Sequence, residues 1–105
     1  MALTEDALRN SVSPLMKAKF LINRGNVYYE QKKAQLAEAS YREAIQVYPN
    51  SIIARANLSS LMAATGRLVE AEKLLLEVLQ INPNNTVMRA NLAKIQAQLQ
   101  KSRQP

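Results

Sequence analysis

The 105-residue chain has no cysteine, no histidine and no tryptophan, and only two glycines. Without thiols it has no disulfide framework and no thiolate metal site, and the redox compartment is left open. Lacking imidazole as well, it offers no His-based metal site and none of the usual nucleophile and base pairs. Two glycines separated by half the chain make no phosphate-cradling loop. Glu70 and Glu72 are two apart on a helix and point in different directions, so they are not a paired acid and base. This inventory argues against an enzyme and calls for no cofactor and no metal. Long apolar runs are missing too: Leu74-Leu75-Leu76 is cut by Glu77, which leaves no membrane span. Glu5 and Asp6 stand where a secretory signal would carry positive charge, so a cytoplasmic location is expected.

Positive charge is in excess. Fourteen Lys and Arg face eight Asp and Glu, for a net charge of +6, which favours acidic partners in general. The length suits one domain with its own core.

An internal period organises the rest. Pro83 follows Pro49 by 34 residues, and the same step separates Asn84 from Asn50, Ala71 from Ala37 and Glu77 from Glu43. Arg55-Ala56-Asn57-Leu58 returns letter for letter as Arg89-Ala90-Asn91-Leu92. A fixed period of this length is the mark of a stacked-repeat architecture.

The period and its residues resemble the tetratricopeptide repeat, a helix-turn-helix unit with large, small, aromatic, Ala, aromatic and Pro positions. Residues 18–51 carry Leu21, Gly25, Tyr28, Ala37, Tyr41, Ala44 and Pro49 at those places. Residues 52–85 carry Leu58, Ser59, Met62, Ala71, Leu75, Val78 and Pro83, with Arg55 replacing the opening large residue. A third unit begins at Thr86 with Leu92 and Ala93, but only one helix of it is present. The resemblance implies an all-α helical-hairpin solenoid, a right-handed superhelix of two full repeats. A capping helix over 86–101 closes it, with the polar outer face that a solenoid end needs in Gln96, Gln98, Gln100 and Lys101.

Local signals place the helices. Ser13-Pro14 combines a capping hydroxyl with a proline at the first helical position, which predicts a helix from Pro14 to about Gln31. Its partner is expected over 34–47, followed by helices over 52–65, 68–81 and 86–101. Lys32-Lys33 marks the first turn, and Gly66 supplies the left-handed residue of the second. Residues 1–13 do not fit the repeat when Pro14 is set at the Pro position. Thr4, Glu5 and Asp6 nevertheless read as a helix start, with Leu8, Val12 and Leu15 on one face, so a short helix over the open N-terminal end is one reading and a frayed tail the other. Residues 102–105 are expected to be disordered.

Gly25, Ser59, Ala93, Ala37 and Ala71 are the small residues expected to let helices approach closely. The predicted core is Tyr28, Tyr41, Leu58, Leu61, Met62, Leu75, Val78, Leu92 and Ile95, each worth roughly 2–5 kcal/mol on truncation to Ala. Arg24 stands where the repeat has Leu, which implies a partly solvated position with no full neighbour before it.

In the family that the chain resembles, the first helices line a concave, peptide-binding side. Carried over by position, the candidate peptide-binding residues are Lys19, Asn23, Asn26, Tyr29, Arg55, Asn57, Ser60, Arg89, Asn91 and Lys94. Asn23, Asn57 and Asn91 recur once per repeat, and an Asn amide can both donate to and accept from the main chain of an extended peptide. The same asparagines read equally well as packing or solvated residues. Ile22, Ile53, Ala56, Ala63, Val87, Ala90 and Ala97 complete a fairly apolar channel. Of the chaperone-tail carboxylate clamp that some family members carry, Asn26 and Asn57 are present. Ile22, Val87 and Asn91 replace its Lys, Lys and Arg, so that clamp is expected to be absent.

Charge is divided between the helices. The first helices carry Lys17, Lys19, Arg24, Arg55, Arg89, Lys94 and Lys101 against Glu30, whereas the second carry Arg42, Arg67 and Lys73 against Glu38, Glu43, Glu70, Glu72 and Glu77. Such a bias would steer a neutral or acidic peptide to the concave side. The function expected is thus a protein-interaction module or scaffold. Two alternatives stand beside it: a nucleic-acid binder, disfavoured because Tyr29 is the one good stacking residue on that side, and a structural subunit or homo-oligomer of a larger assembly.

Overall fold

In the computed structural model, which describes residues 13–103, the chain forms α1 (Pro14–Glu30), α2 (Ala34–Val47), α3 (Ile52–Ala64), α4 (Leu68–Ile81) and α5 (Thr86–Arg103). Each first helix of a repeat opens on a side-chain cap. The oxygens of Ser13, Ser51 and Asn85 accept the backbone N–H of Met16 (3.2 Å), Ala54 (3.1 Å) and Met88 (3.0 Å), satisfying donors that a helix start leaves unpaired.

The turns inside the two hairpins are built alike. Lys33 N–H donates to the Tyr28 carbonyl and Lys32 N–H to that of Tyr29, and Arg67 and Gly66 repeat the pattern on Met62 and Ala63. This closure needs a left-handed residue after the helix. Gly66 provides it at φ +83°, and Lys32, one period earlier, adopts φ +63° at the cost of a Cβ contact that glycine avoids.

The hairpins stack into an all-α helical-hairpin solenoid. α1 packs on α2 and α3 on α4, while α2 meets α3, α4 meets α5, and α1 also touches α3. Small residues set the closest approaches. A Cβ on Gly25 would lie 2.5 Å from the Tyr41 ring, and Ser59 Oγ donates to the Ala71 carbonyl at 3.0 Å. Tyr41, Leu58, Leu61, Met62, Leu75, Val78, Leu92 and Ile95 are buried. Tyr28 is half-buried against them.

The structure corrects the sequence expectations at several points. Ile22, assigned to the channel, is buried in the core beside Ala18 and Leu21. Ala93 is exposed, because no second helix of a third repeat covers it among the described residues. Leu99 joins the core from α5. α1 and α3 stop one residue before Gln31 and Thr65, and α5 passes Lys101. Ser102 and Arg103 are therefore helical rather than disordered, and Ser102 Oγ donates to the Leu99 carbonyl at 2.8 Å. The short helix expected before Pro14 falls on residues 1–12, outside the described residues.

Charged pairs tie the outer helices together. Arg67 reaches Glu38 (2.7 Å) and Glu70 (2.6 Å), and Arg42 reaches Glu38 (2.9 Å). Burial pushes the Glu38 carboxyl up, but hydrogen bonds and charge from Arg67 and Arg42 outweigh it and hold the group below its ordinary value of 4.5. Because the folded value lies below the unfolded one, Glu38 stabilises the fold above the ordinary carboxylate range. That contribution is lost as pH falls through the lowered value. Wild type should accordingly lose more melting temperature than Glu38→Gln between about pH 6 and about pH 2, the two curves converging at the acid end. Parallel curves in thermal melts followed by circular dichroism would remove Glu38 from the network.

Candidate functional site

The inner face is built from α1, α3 and α5, and three hollows run across it. The first, about 460 Å³, is lined by Tyr29, Glu30, Lys32, Ala34, Leu61 and Thr65. It shares Tyr29 and Leu61 with a second of about 170 Å³, which adds Asn26, Tyr41, Asn57 and Ser60. Ser60 leads into a third of about 280 Å³, where Ala56 and Ala63 of α3 face Asn91, Lys94 and Gln98 of α5 over Leu75 and Ile95. The shared residues join the three hollows into one channel crossing all three first helices.

At the centre of the channel lies a fixed amide pair. Asn26 Oδ1 accepts from the Tyr41 hydroxyl at 2.5 Å and from Asn57 Nδ2 at 3.2 Å. Burial raises the Tyr41 pKa, with a smaller contribution from Tyr29, so the phenol stays protonated and keeps donating. With Asn26 Oδ1 doubly engaged, the Asn26 amide N–H groups and the Asn57 carbonyl are left to serve other partners. Ser60 adds a hydroxyl, and Tyr29, 47% exposed, offers an open aromatic face.

The ten residues singled out from the sequence divide into three groups. Asn26, Tyr29, Asn57, Ser60, Asn91 and Lys94 come together along the channel. Lys19 and Asn23 are exposed on α1 but lie outside the three hollows, whereas Asn57 and Asn91 line them and Asn57 pairs with Asn26 across two helices. Arg55 and Arg89 are drawn off elsewhere. Arg55 bonds the Pro49 carbonyl and pairs with Glu77 at 3.0 Å, its side chain only 13% exposed, and Arg89 Nε donates to the Pro83 carbonyl at 2.7 Å. Both guanidiniums fasten the loop before their own helix, which explains why the Pro-Asn loop and the Arg-Ala-Asn-Leu run repeat together.

Arg24 also turns away, donating from Nε to Ser40 Oγ (3.1 Å) and pairing with Glu43 (3.0 Å). The charge bias read from the sequence is therefore weaker on the inner face than its sum. Lys94 and Lys32 line the channel beside Glu30, and Lys17 and Lys19 are exposed on α1. Sequence reasoning missed Lys32, Ala34, Thr65 and Gln98. The first three sit at the hairpin turns, and only the stacking of one turn beside the next opens a hollow there.

A further hollow of about 470 Å³ lies on the opposite side, between α2 and α4, lined by Arg42, Ile45, Gln46, Glu70, Lys73, Leu74 and Glu77. Its cations and acids are interleaved and partly paired with each other, as Arg42 is with Glu70 at 3.5 Å, so it has no net chemistry to offer. Among the described residues no cluster of carboxylates could hold a metal ion, and no helix is long and apolar enough to cross a membrane.

Tetratricopeptide repeat family models match residues 28–95 and residues 2–52. No curated protein matches. Among solved structures, the first tetratricopeptide domain of Spaghetti (RPAP3), bound to an HSP90 peptide of sequence SRMEEVD, is similar at 28% identity and a TM-score of 0.72. The match covers 78% of this chain and 65% of that one, so the chain spans less than two thirds of that relative's length. The second such domain of the same protein, also with that peptide, matches at 20% identity and TM-score 0.77, over 91% of this chain and 85% of that one. The C-terminal repeat-containing domain of a Plasmodium falciparum FK506-binding protein matches at 20% identity and TM-score 0.75, over 97% and 66%.

Proposed function

Because the chain belongs to the tetratricopeptide repeat family, we propose that it is a protein-interaction module holding an extended peptide segment in the channel across α1, α3 and α5. The observation that carries this reading is the Asn26–Asn57 pair, held by Tyr41 in the middle one of the three hollows. A peptide carbonyl would accept from the Asn26 amide and a peptide N–H would donate to the Asn57 carbonyl, which anchors main chain without reading side chains. Tyr29 and the alanines of α3 would take apolar side chains. Lys94, Lys32 and the exposed Lys19 would favour neutral or acidic segments. The peptide SRMEEVD, held by a 28% identical relative, has this acidic character. This chain would not grip such a tail by its terminal carboxylate in the way the clamp does, since Ile22 lies in the core and Val87 and Asn91 carry no charge.

The test begins with a displayed library of random peptides, from which an extended binder is selected against wild type. Asn26→Ala with Asn57→Ala should weaken that peptide at least about tenfold, the loss of roughly 1.4 kcal/mol expected for two hydrogen bonds, measured well below the melting temperature, which should fall because the buried Tyr41 hydroxyl loses its acceptor. Equal affinity for the double variant would move the interface off the channel. A parallel titration with single-stranded oligonucleotide at low salt should show no shift. Binding with a steep salt slope would support the nucleic-acid alternative.

A further inference from the structure

One face of α1 is apolar and open. Met16, Phe20 and Val27 are 62%, 65% and 51% exposed, and they share a side of the helix with Arg24. One period later, Phe20, Arg24 and Val27 correspond to Ala54, Leu58 and Leu61, which are at most 2% exposed; two periods later they correspond to Met88, Leu92 and Ile95, all buried or half-buried. In those two cases the cover is the second helix of the preceding repeat, α2 over α3 and α4 over α5. The repeat thus specifies what fits the α1 face: a helix arriving from the N-terminal side.

Residues 1–12 are in the right place to supply it. The 34-residue step that carries α4 onto α2 carries α2 onto positions just before α1. One of the two family models begins its match at residue 2. Wound as a helix, Met1, Leu3, Ala7 and Leu8 fall within one half of the wheel, and Glu5, Asp6, Arg9 and Asn10 fall in the other. With four residues left for the reversal, as 48–51 are between α2 and α3, a helix over residues 1–9 would reach about 14 Å, most of the roughly 17 Å along α1 from Met16 to Val27.

We propose that residues 1–12 dock, as an amphipathic helix followed by a turn, on the Met16–Phe20–Val27 face of α1, in the place that α2 takes on α3 and α4 on α5. So short a helix is not stable alone in water, so its order reports docking. Docking also occupies the face through which another copy could add end to end, leaving the inner channel as the open interaction surface.

The experiment is residue-resolved hydrogen exchange by NMR on the full chain, with sedimentation in the same buffer. Amides over about residues 5–10 should exchange at least roughly tenfold more slowly than an unstructured chain, in a monomer at every concentration. Leu8→Asp and, separately, Phe20→Ser should each return them to the unstructured rate while α3–α5 keep their protection. Because Leu8 lies outside the described fold, its variant tests the contact without disturbing α1–α5. Unstructured rates in the wild-type monomer would overturn the proposal, as would protection that survives both substitutions. Protection that appears only with self-association would overturn it in favour of a second copy on this face.

Discussion

Leu58→Ala is expected to lower the unfolding free energy by about 4 kcal/mol, near the upper end for a leucine truncated in a core. Leu58 is fully buried, on a helix held between α2 and α4, the two helices that belong to successive hairpins. Collapse into the vacated space would need one hairpin to slide on the other. The Ser59 hydrogen bond to Ala71 (3.0 Å) and the Arg55 ties to Glu77 and the Pro49 carbonyl oppose that slide, so the cavity should persist. In a domain of this size the loss amounts to a melting-temperature drop of roughly 20 °C. Leu76→Ala, at a position 46% exposed on α4, is the control and should cost less than about 1 kcal/mol. Urea unfolding of the pair decides the matter. A Leu58→Ala cost below about 1.5 kcal/mol would mean that the hairpin junction is loosely packed. Because stability in stacked repeats is carried by neighbour interfaces, the variant should also broaden the transition by uncoupling α1–α2 from the rest.

Gly25→Ala should be the second large effect, with a sign opposite to that of helix propensity. Alanine in the interior of α1 gains about 1 kcal/mol over glycine. Its Cβ, however, would sit 2.5 Å and 2.7 Å from two carbons of the Tyr41 ring. That ring cannot easily give way, being 2% exposed and held at its hydroxyl by Asn26. Overpacking of this kind costs about 1–3 kcal/mol and more when the neighbour is fixed, so a net loss of about 2 kcal/mol is expected. The displaced ring would also release Asn26, so peptide affinity should fall along with stability. Placing Gly25→Ala in a Tyr41→Leu background should reduce its cost, the signature of a direct clash in a double-mutant cycle. A Gly25→Ala variant more stable than wild type would refute the close approach. Gly66→Ala is the informative contrast. Open space surrounds that glycine, but its φ of +83° strains any side chain, so a cost of about 1 kcal/mol with unchanged peptide binding is expected.

Much of this architecture can be read before folding. The 34-residue step, the helix-starting Ser13-Pro14 and the Pro49 and Pro83 stops lead to helices whose bounds at 34–47 and 68–81 agree with α2 and α4, because capping and proline chemistry are local. The core was legible for the same reason: apolar residues at helical spacing have one face to bury, and repetition at a fixed step marks which face it is.

The candidate site was only half legible. Repeat position identified Asn26, Tyr29, Asn57, Ser60, Asn91 and Lys94, since a residue's side of a helix follows from its number. It could not tell that Arg55 and Arg89 would be taken by proline carbonyls or that Ile22 would turn inward. Those outcomes depend on where a neighbouring loop or helix stands, and long side chains follow the nearest acceptor rather than the helix face. The charge sum over the first helices was misleading for the same reason.

By itself, the sequence determined the kind of fold, the number of helices from Ser13 onward and the residues that pack them, because hydrophobic periodicity and backbone capping act over a few residues. Tertiary structure alone decided the Asn26–Tyr41–Asn57 lock and the channel made by joining three hollows. Each of these depends on the distance between groups 15 or more residues apart in the chain, and only the stacking of one hairpin on the next sets that distance.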